Sequence, residues 1–178
     1  MNDLHNRCLD TFPEWLRTLA SDATELGALL TSDLPEDARR YVAGGLNYLF
    51  KSLDLIPDGI EDLGFLDDAF VLRVAASLAV KTQGAGDTAV LQRLASESAL
   101  VSELLGKDYP RLETYAKGLT RGAARGRTVD EILTDATVRG DFLNELSGWS
   151  SGYEAPTFSR DEKNLVKLQA FLSAKLPQ

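Results

Sequence analysis

The chain has 178 residues, 44% hydrophobic and 26% charged, which is the composition of an ordinary globule rather than of a disordered segment. Asp and Glu outnumber Lys and Arg by 27 to 19, and the formal net charge of -8 disfavours long-range attraction to nucleic acid or anionic lipid. The one cysteine, Cys8, excludes an internal disulfide and a cysteine zinc cluster, and neither a leader-like start nor about 18 consecutive apolar residues is present, so the expectation is a cytoplasmic protein with no transmembrane segment.

Helical periodicity recurs along the chain and strand-like alternation is hard to find, so the expected fold class is all-α: a compact bundle of about six to eight helices with a central hairpin over residues 35–82. Thr11 with Glu14 forms a capping-box pattern and Pro13 suits a first turn, which predicts a helix from Phe12 to Leu30 with Trp15, Leu19 and Leu26 inward. Pro35 and Glu36 open a second helix whose Ala38, Tyr41, Val42, Gly45, Leu46, Leu49, Phe50 and Leu53 recur at three-to-four spacing. The adjoining Gly44 and Gly45 each lower helix propensity by about 1 kcal/mol, which is offset if another helix packs closely there. Residues 66–82 form a third helix, apolar on nearly every side with Arg73 inside, as suits the centre of a bundle.

Asp87 is a cap for a fourth helix near residues 88–105, and a shorter helix runs from Pro110 to Leu119. Thr128 with Glu131 opens another helical segment that Asp135 or Thr137 interrupts, and Ser159 with Glu162 caps a closing helix bearing Leu165, Leu168 and Leu172. The expected organisation is one domain, with a helical-hairpin core at 38–80 and a carboxy-terminal helical extension at 108–178.

The most distinctive stretch is the acidic corner at 54–68. Pro57 removes an amide donor and stops the second helix, while Gly59 and Gly64 can take left-handed conformations. Asp67 and Asp68 fall in the first turn of the third helix, where an exposed carboxylate gains roughly 0.3 to 1 kcal/mol from the helix dipole. Asp58 and Asp62 suit turn or capping bonds, and Leu55, Ile56, Ile60, Leu63, Phe65 and Leu66 fold underneath. The corner is therefore read with charge facing out and apolar groups facing in.

Here D-L-I-P-D followed by G-F-L-D-D resembles the signature of the YkvA-like family (domain of unknown function 1232), a resemblance covering about residues 38–80. The matching positions are Asp54, Pro57, Asp58, Gly64, Asp67 and Asp68. Gly59 stands where a large apolar residue is common, and Glu61 where a second proline is common. The resemblance implies a helix, an aspartate-proline corner and a second helix, with no established reaction. Some relatives occur in membrane-linked contexts.

Asp54, Asp58 and Gly59 take the first, fifth and sixth places of an EF-hand count, yet Ile56 at the third place and Phe65 at the twelfth break it. A looser Mg2+, Mn2+ or Ca2+ site built from Asp54, Asp58, Asp67 and Asp68, serving a cation-dependent enzyme or sensor, is the alternative to a solvated capping corner. His5 is the only histidine, so there is no internal Ser-His-Asp arrangement, and its spacing from Cys8 gives only the geometry of a dyad. Residues 107–127 reverse the overall charge, and Arg121, Arg125 and Arg127 are the candidate contacts for a phosphate-bearing surface, whether membrane or nucleic acid. The leading expectation is a non-enzymatic interaction module that binds a protein partner or itself. No cofactor and no nucleic acid are expected.

Overall fold

The computed structural model describes residues 2–51, 54–56, 60, 63–85 and 88–178. It is an all-α bundle with one apolar core cluster that draws on residues from Cys8 in the first helix to Leu176 after the last. The elements in chain order are α1 (Asp3–Ala28), α2 (Glu36–Tyr48), α3 (Leu66–Val80), α4 (Ala89–Leu105), α5 (Tyr109–Gly118), β1 (Ala123–Ala124), β2 (Arg127–Thr128), α6 (Val129–Thr134), α7 (Ala136–Gly152) and α8 (Glu162–Lys175).

The central helix is α3, which packs against α1, α2, α4 and α5. Its sequence carries apolar residues on every side, and 13 of its 15 residues are buried. The close approach of α2 to α3 depends on Gly45, where a Cβ would lie 2.9 Å from the Ala75 Cβ. Gly44 performs the same service on the neighbouring face of α2, against the backbone of Leu119 and Thr120. The glycine pair is therefore a packing device, as its place in an amphipathic helix implies.

Several boundaries differ from the sequence expectation. Helix α1 begins at Asp3, capped by Asn2, whose Oδ1 accepts from the His5 amide at 2.7 Å, so Pro13 lies inside the helix. The lost amide bond is offset because the extra turns bury Cys8, Leu9 and Phe12. Helix α2 ends at Tyr48, well before Pro57. Helix α8 is capped by Asp161, which accepts from Lys163, rather than by Ser159. The predicted Thr128–Glu131 capping box is present, and Asp135 both ends α6 and caps α7. Asp87 and Leu53 lie outside the described residues.

Residues 123–128 fold as a tight antiparallel turn in which Ala123 pairs with Thr128 and Ala124 with Arg127. Arg125 and Gly126 both have positive φ there, the pattern of a type I′ hairpin turn. Helix α8 packs against α1, and Arg111 of α5 holds its end. The Arg111 guanidinium donates to the carbonyls of Ser173 (3.0 Å), Leu176 and Pro177 (3.0 Å), and so satisfies the acceptors that the end of α8 leaves open. Among the described residues no helix is long and apolar enough to cross a membrane.

Candidate functional site

The acidic corner joins α2 to α3, and its described residues turn on one phenol. Tyr48, the last residue of α2, is fully buried. Its hydroxyl donates to Asp67 Oδ2 and accepts the Leu55 amide at 2.8 Å. The same Asp67 oxygen accepts the Ile56 amide at 3.3 Å. Asp67 thus ties the start of α3 to non-helical backbone eleven residues earlier and to the end of α2. Leu55, Ile56, Leu63 and Leu66 are buried around this bond network, in keeping with the apolar underside expected of the corner.

The charges are arranged otherwise than expected. Asp67 is 0% and Asp68 2% exposed, so these two carboxylates face inward, and the reading of a corner with all its charge outward is corrected. For Asp67 the cause is the Tyr48 hydroxyl together with the Ile56 amide, because a buried carboxylate persists where donors meet it. Phe65, at the N-cap of α3, is left-handed (φ +69), a conformation expected from the sequence at Gly59 and Gly64; Gly64 is buried. The Phe65 ring stands edge-on to Tyr153, centroids 5.3 Å apart, so the end of α7 holds the turn in place. Asp54 is half-buried, while Pro57, Asp58 and Gly59 lie outside the described residues.

Electrostatically the corner is one neighbourhood. Burial and then the Asp67 and Asp68 carboxylates push the Tyr48 phenol far above its ordinary range. Burial, followed by Asp54, Asp67 and Asp68, pushes the Tyr115 phenol up to about 12. Tyr115 belongs to α5, and its ring meets Tyr48 edge-on at 6.0 Å. The carboxy-terminal extension therefore supplies part of the cover over the corner. Among the described residues no three His, Cys, Asp or Glu side chains gather where a metal ion could be held.

A second polar centre lies farther along α3, at Arg73. Arg73, fully buried, stacks on Trp15 with its guanidinium carbon 4.1 Å from the ring centroid. It reaches Glu97 at 3.2 Å and Asp22 at 3.5 Å, and it donates to the Ala69 carbonyl at 3.0 Å. Arg93 approaches Asp22 at 2.6 Å and Glu97 at 3.4 Å. Two acids and two arginines from α1, α3 and α4 thus balance one another. Burial pushes the Arg73 guanidinium down to about 10 against the pull of Glu97 and Asp22. Arg73 was visible in the sequence as a charge inside an apolar run. Tyr48 and Asp22 carry no such local signal.

The remaining candidates separate. Arg125 and Arg127 both point at Glu145 Oε1, at 3.3 and 2.6 Å, and lie over the rings of Phe50 and Phe142 respectively, whereas Arg121 is exposed. His5 bonds Glu162 of α8 through Nδ1, not Cys8. Cys8 is buried, and loss of solvation pushes its thiol up to about 11, the wrong direction for a nucleophile.

With this geometry in hand, comparison with known proteins gives one family. Residues 38–73 match the model described as "Protein of unknown function (DUF1232)", a span that runs from α2 through the corner to Arg73 in α3. No curated protein and no solved structure matches the chain.

Proposed function

With residues 38–73 carrying the DUF1232 segment, we propose that the protein is a non-enzymatic helical module that presents a rigid surface to a protein partner or to a second copy of itself. The observation that carries this reading is the inward aim of Asp67, whose carboxylate holds the Tyr48 hydroxyl and the Ile56 amide. A signature residue engaged in this way stabilises the hairpin and leaves recognition to the outer faces of the bundle. The groove between α1 and α4, about 290 Å3 and floored by Trp15, supports the same view. Its Arg7 and Glu103 pair with each other at 2.6 Å, and its Glu97 pairs with Arg73 and Arg93. A cytoplasmic location fits this reading, since Cys8 is a buried thiol rather than half of a crosslink.

The competing expectation is a divalent-cation site in the corner; Asp54, Asp67 and Asp68 form no metal-holding group among the described residues, and Asp58 lies outside them. Titration calorimetry with Mg2+, Mn2+ and Ca2+ separates the two. The interaction module gives no saturable heat. Saturable heat that disappears in Asp67→Asn and Asp68→Asn variants, both still folded by circular dichroism, would overturn it in favour of the cation site.

A further inference from the structure

Asn47 lies in the last turn of α2 with 4% of its surface exposed. Its Nδ2 donates to the Arg127 carbonyl at 3.4 Å. That bond fixes the orientation of the amide, because the reverse would set two acceptors against each other. Oδ1 is buried and accepts from no group among the described residues. Buried amide oxygens nearly always have a donor, either from protein or from bound solvent.

Beside Asn47 is a crevice of about 10 Å3, lined by Gly44 and Lys51 on one side and by Leu119 and Gly122 on the other. Its volume is about the least that holds a single water. It lies along the seam where Gly44 lets α2 approach the backbone of Leu119 and Thr120. The chemistry of the lining narrows the occupant. An anion without an acidic proton has nothing to donate to Oδ1, and the positive charge of Lys51, a residue lining the same crevice, disfavours a cation. What fits is a neutral hydrogen-bond donor of water size.

We propose that this crevice binds one long-lived water molecule, which donates to Asn47 Oδ1 and bridges α2 to the connection between α5 and the β1–β2 turn. The water is then a polar joint between the DUF1232 segment and the carboxy-terminal extension, and it exchanges with bulk solvent only when the seam opens.

The test is water–protein NOE spectroscopy on the uniformly 15N-labelled full chain. The expected result is cross-peaks of the sign of a slowly tumbling complex from water to the Asn47 side-chain amide and to the amide of Gly122 or Ala123. In Asn47→Leu, which removes the acceptor, the peak at the Gly122 or Ala123 backbone amide is lost, and 17O relaxation dispersion reports one fewer long-lived water. Absence of the peaks in the wild-type chain, or persistence of the backbone-amide peak in Asn47→Leu, overturns the proposal. Should that variant fail to fold, the wild-type spectrum alone decides it.

Discussion

Replacing Tyr48 with phenylalanine removes a donor from Asp67 and an acceptor from the Leu55 amide at one stroke, in a place that water does not reach. The expected loss is about 2 kcal/mol of unfolding free energy, read from urea denaturation, since a buried polar group left unsatisfied costs about 1 to 3 kcal/mol. The same phenol gives the protein an alkaline limit. An unfolded tyrosine releases its proton near pH 10, whereas burial and the Asp67 and Asp68 carboxylates raise Tyr48 far above that. Above pH 10 the unfolded chain therefore binds fewer protons than the native one, and stability falls as pH rises. The contribution of Tyr48 is complete below about pH 10 and is lost progressively above it. Tyr115, raised to about 12, adds to the fall between its unfolded and folded values. Denaturation midpoints measured from pH 8 to 11.5 should drop steeply for the wild type and less for Tyr48→Phe.

At the scale of elements, the contact between α2 and α3 is set by Gly45. Alanine there gains about 1 kcal/mol of helix propensity, but its Cβ would fall 2.9 Å from that of Ala75, and both backbones would have to part. Overpacking of this kind costs roughly 1 to 3 kcal/mol, so Gly45→Ala is expected to be less stable than the wild type by thermal denaturation. A Gly45→Ala/Ala75→Gly pair should recover much of the loss. These helices were legible in the sequence because packing leaves a mark every three or four residues, as in Ala38, Val42, Gly45 and Leu46 of α2. The glycine pair told of a close neighbour for the same reason. The corner was legible in its residues but not in its direction. Asp67 and Asp68 occupy a helix N-terminus, where exposed carboxylates are common, and nothing local marks them as buried. What turns Asp67 inward is a hydroxyl nineteen residues earlier, at the end of another helix. The start of α1 was missed because Pro13 reads as a first-turn residue, although the face formed by Cys8, Leu9 and Phe12 extends the helix past it.

Over the whole molecule, residues 38–73 are too few to bury a core unaided, since chains below about 40 residues seldom fold without staples or partners. In this protein the flanking helices complete the segment, with α1 and α4 joined to α3 through Arg73 and α5 bringing Tyr115 over the corner. The Arg73 centre should behave as buried ion networks do. Asp22→Ala leaves the buried Arg73 guanidinium with Glu97 as its one remaining carboxylate partner among the described residues, shared with Arg93, and a loss of about 3 to 5 kcal/mol is expected. Arg73→Met combined with Asp22→Leu should be far milder, because neither charge is left stranded, and chemical denaturation of both variants measures the difference. A large, equal loss for both would show that shape rather than charge joins these helices.

The Asp67 carboxylate works inside the fold, and native-state hydrogen exchange of the Leu55 and Ile56 amides reads that most directly. Both lie outside helix and strand, and both donate into the Tyr48–Asp67 pair. They should exchange as slowly as the core amides of α3, and the protection of Ile56 should collapse in Asp67→Ala while α8 stays protected. Exchange at the rate of an open loop in the wild-type chain would contradict the account.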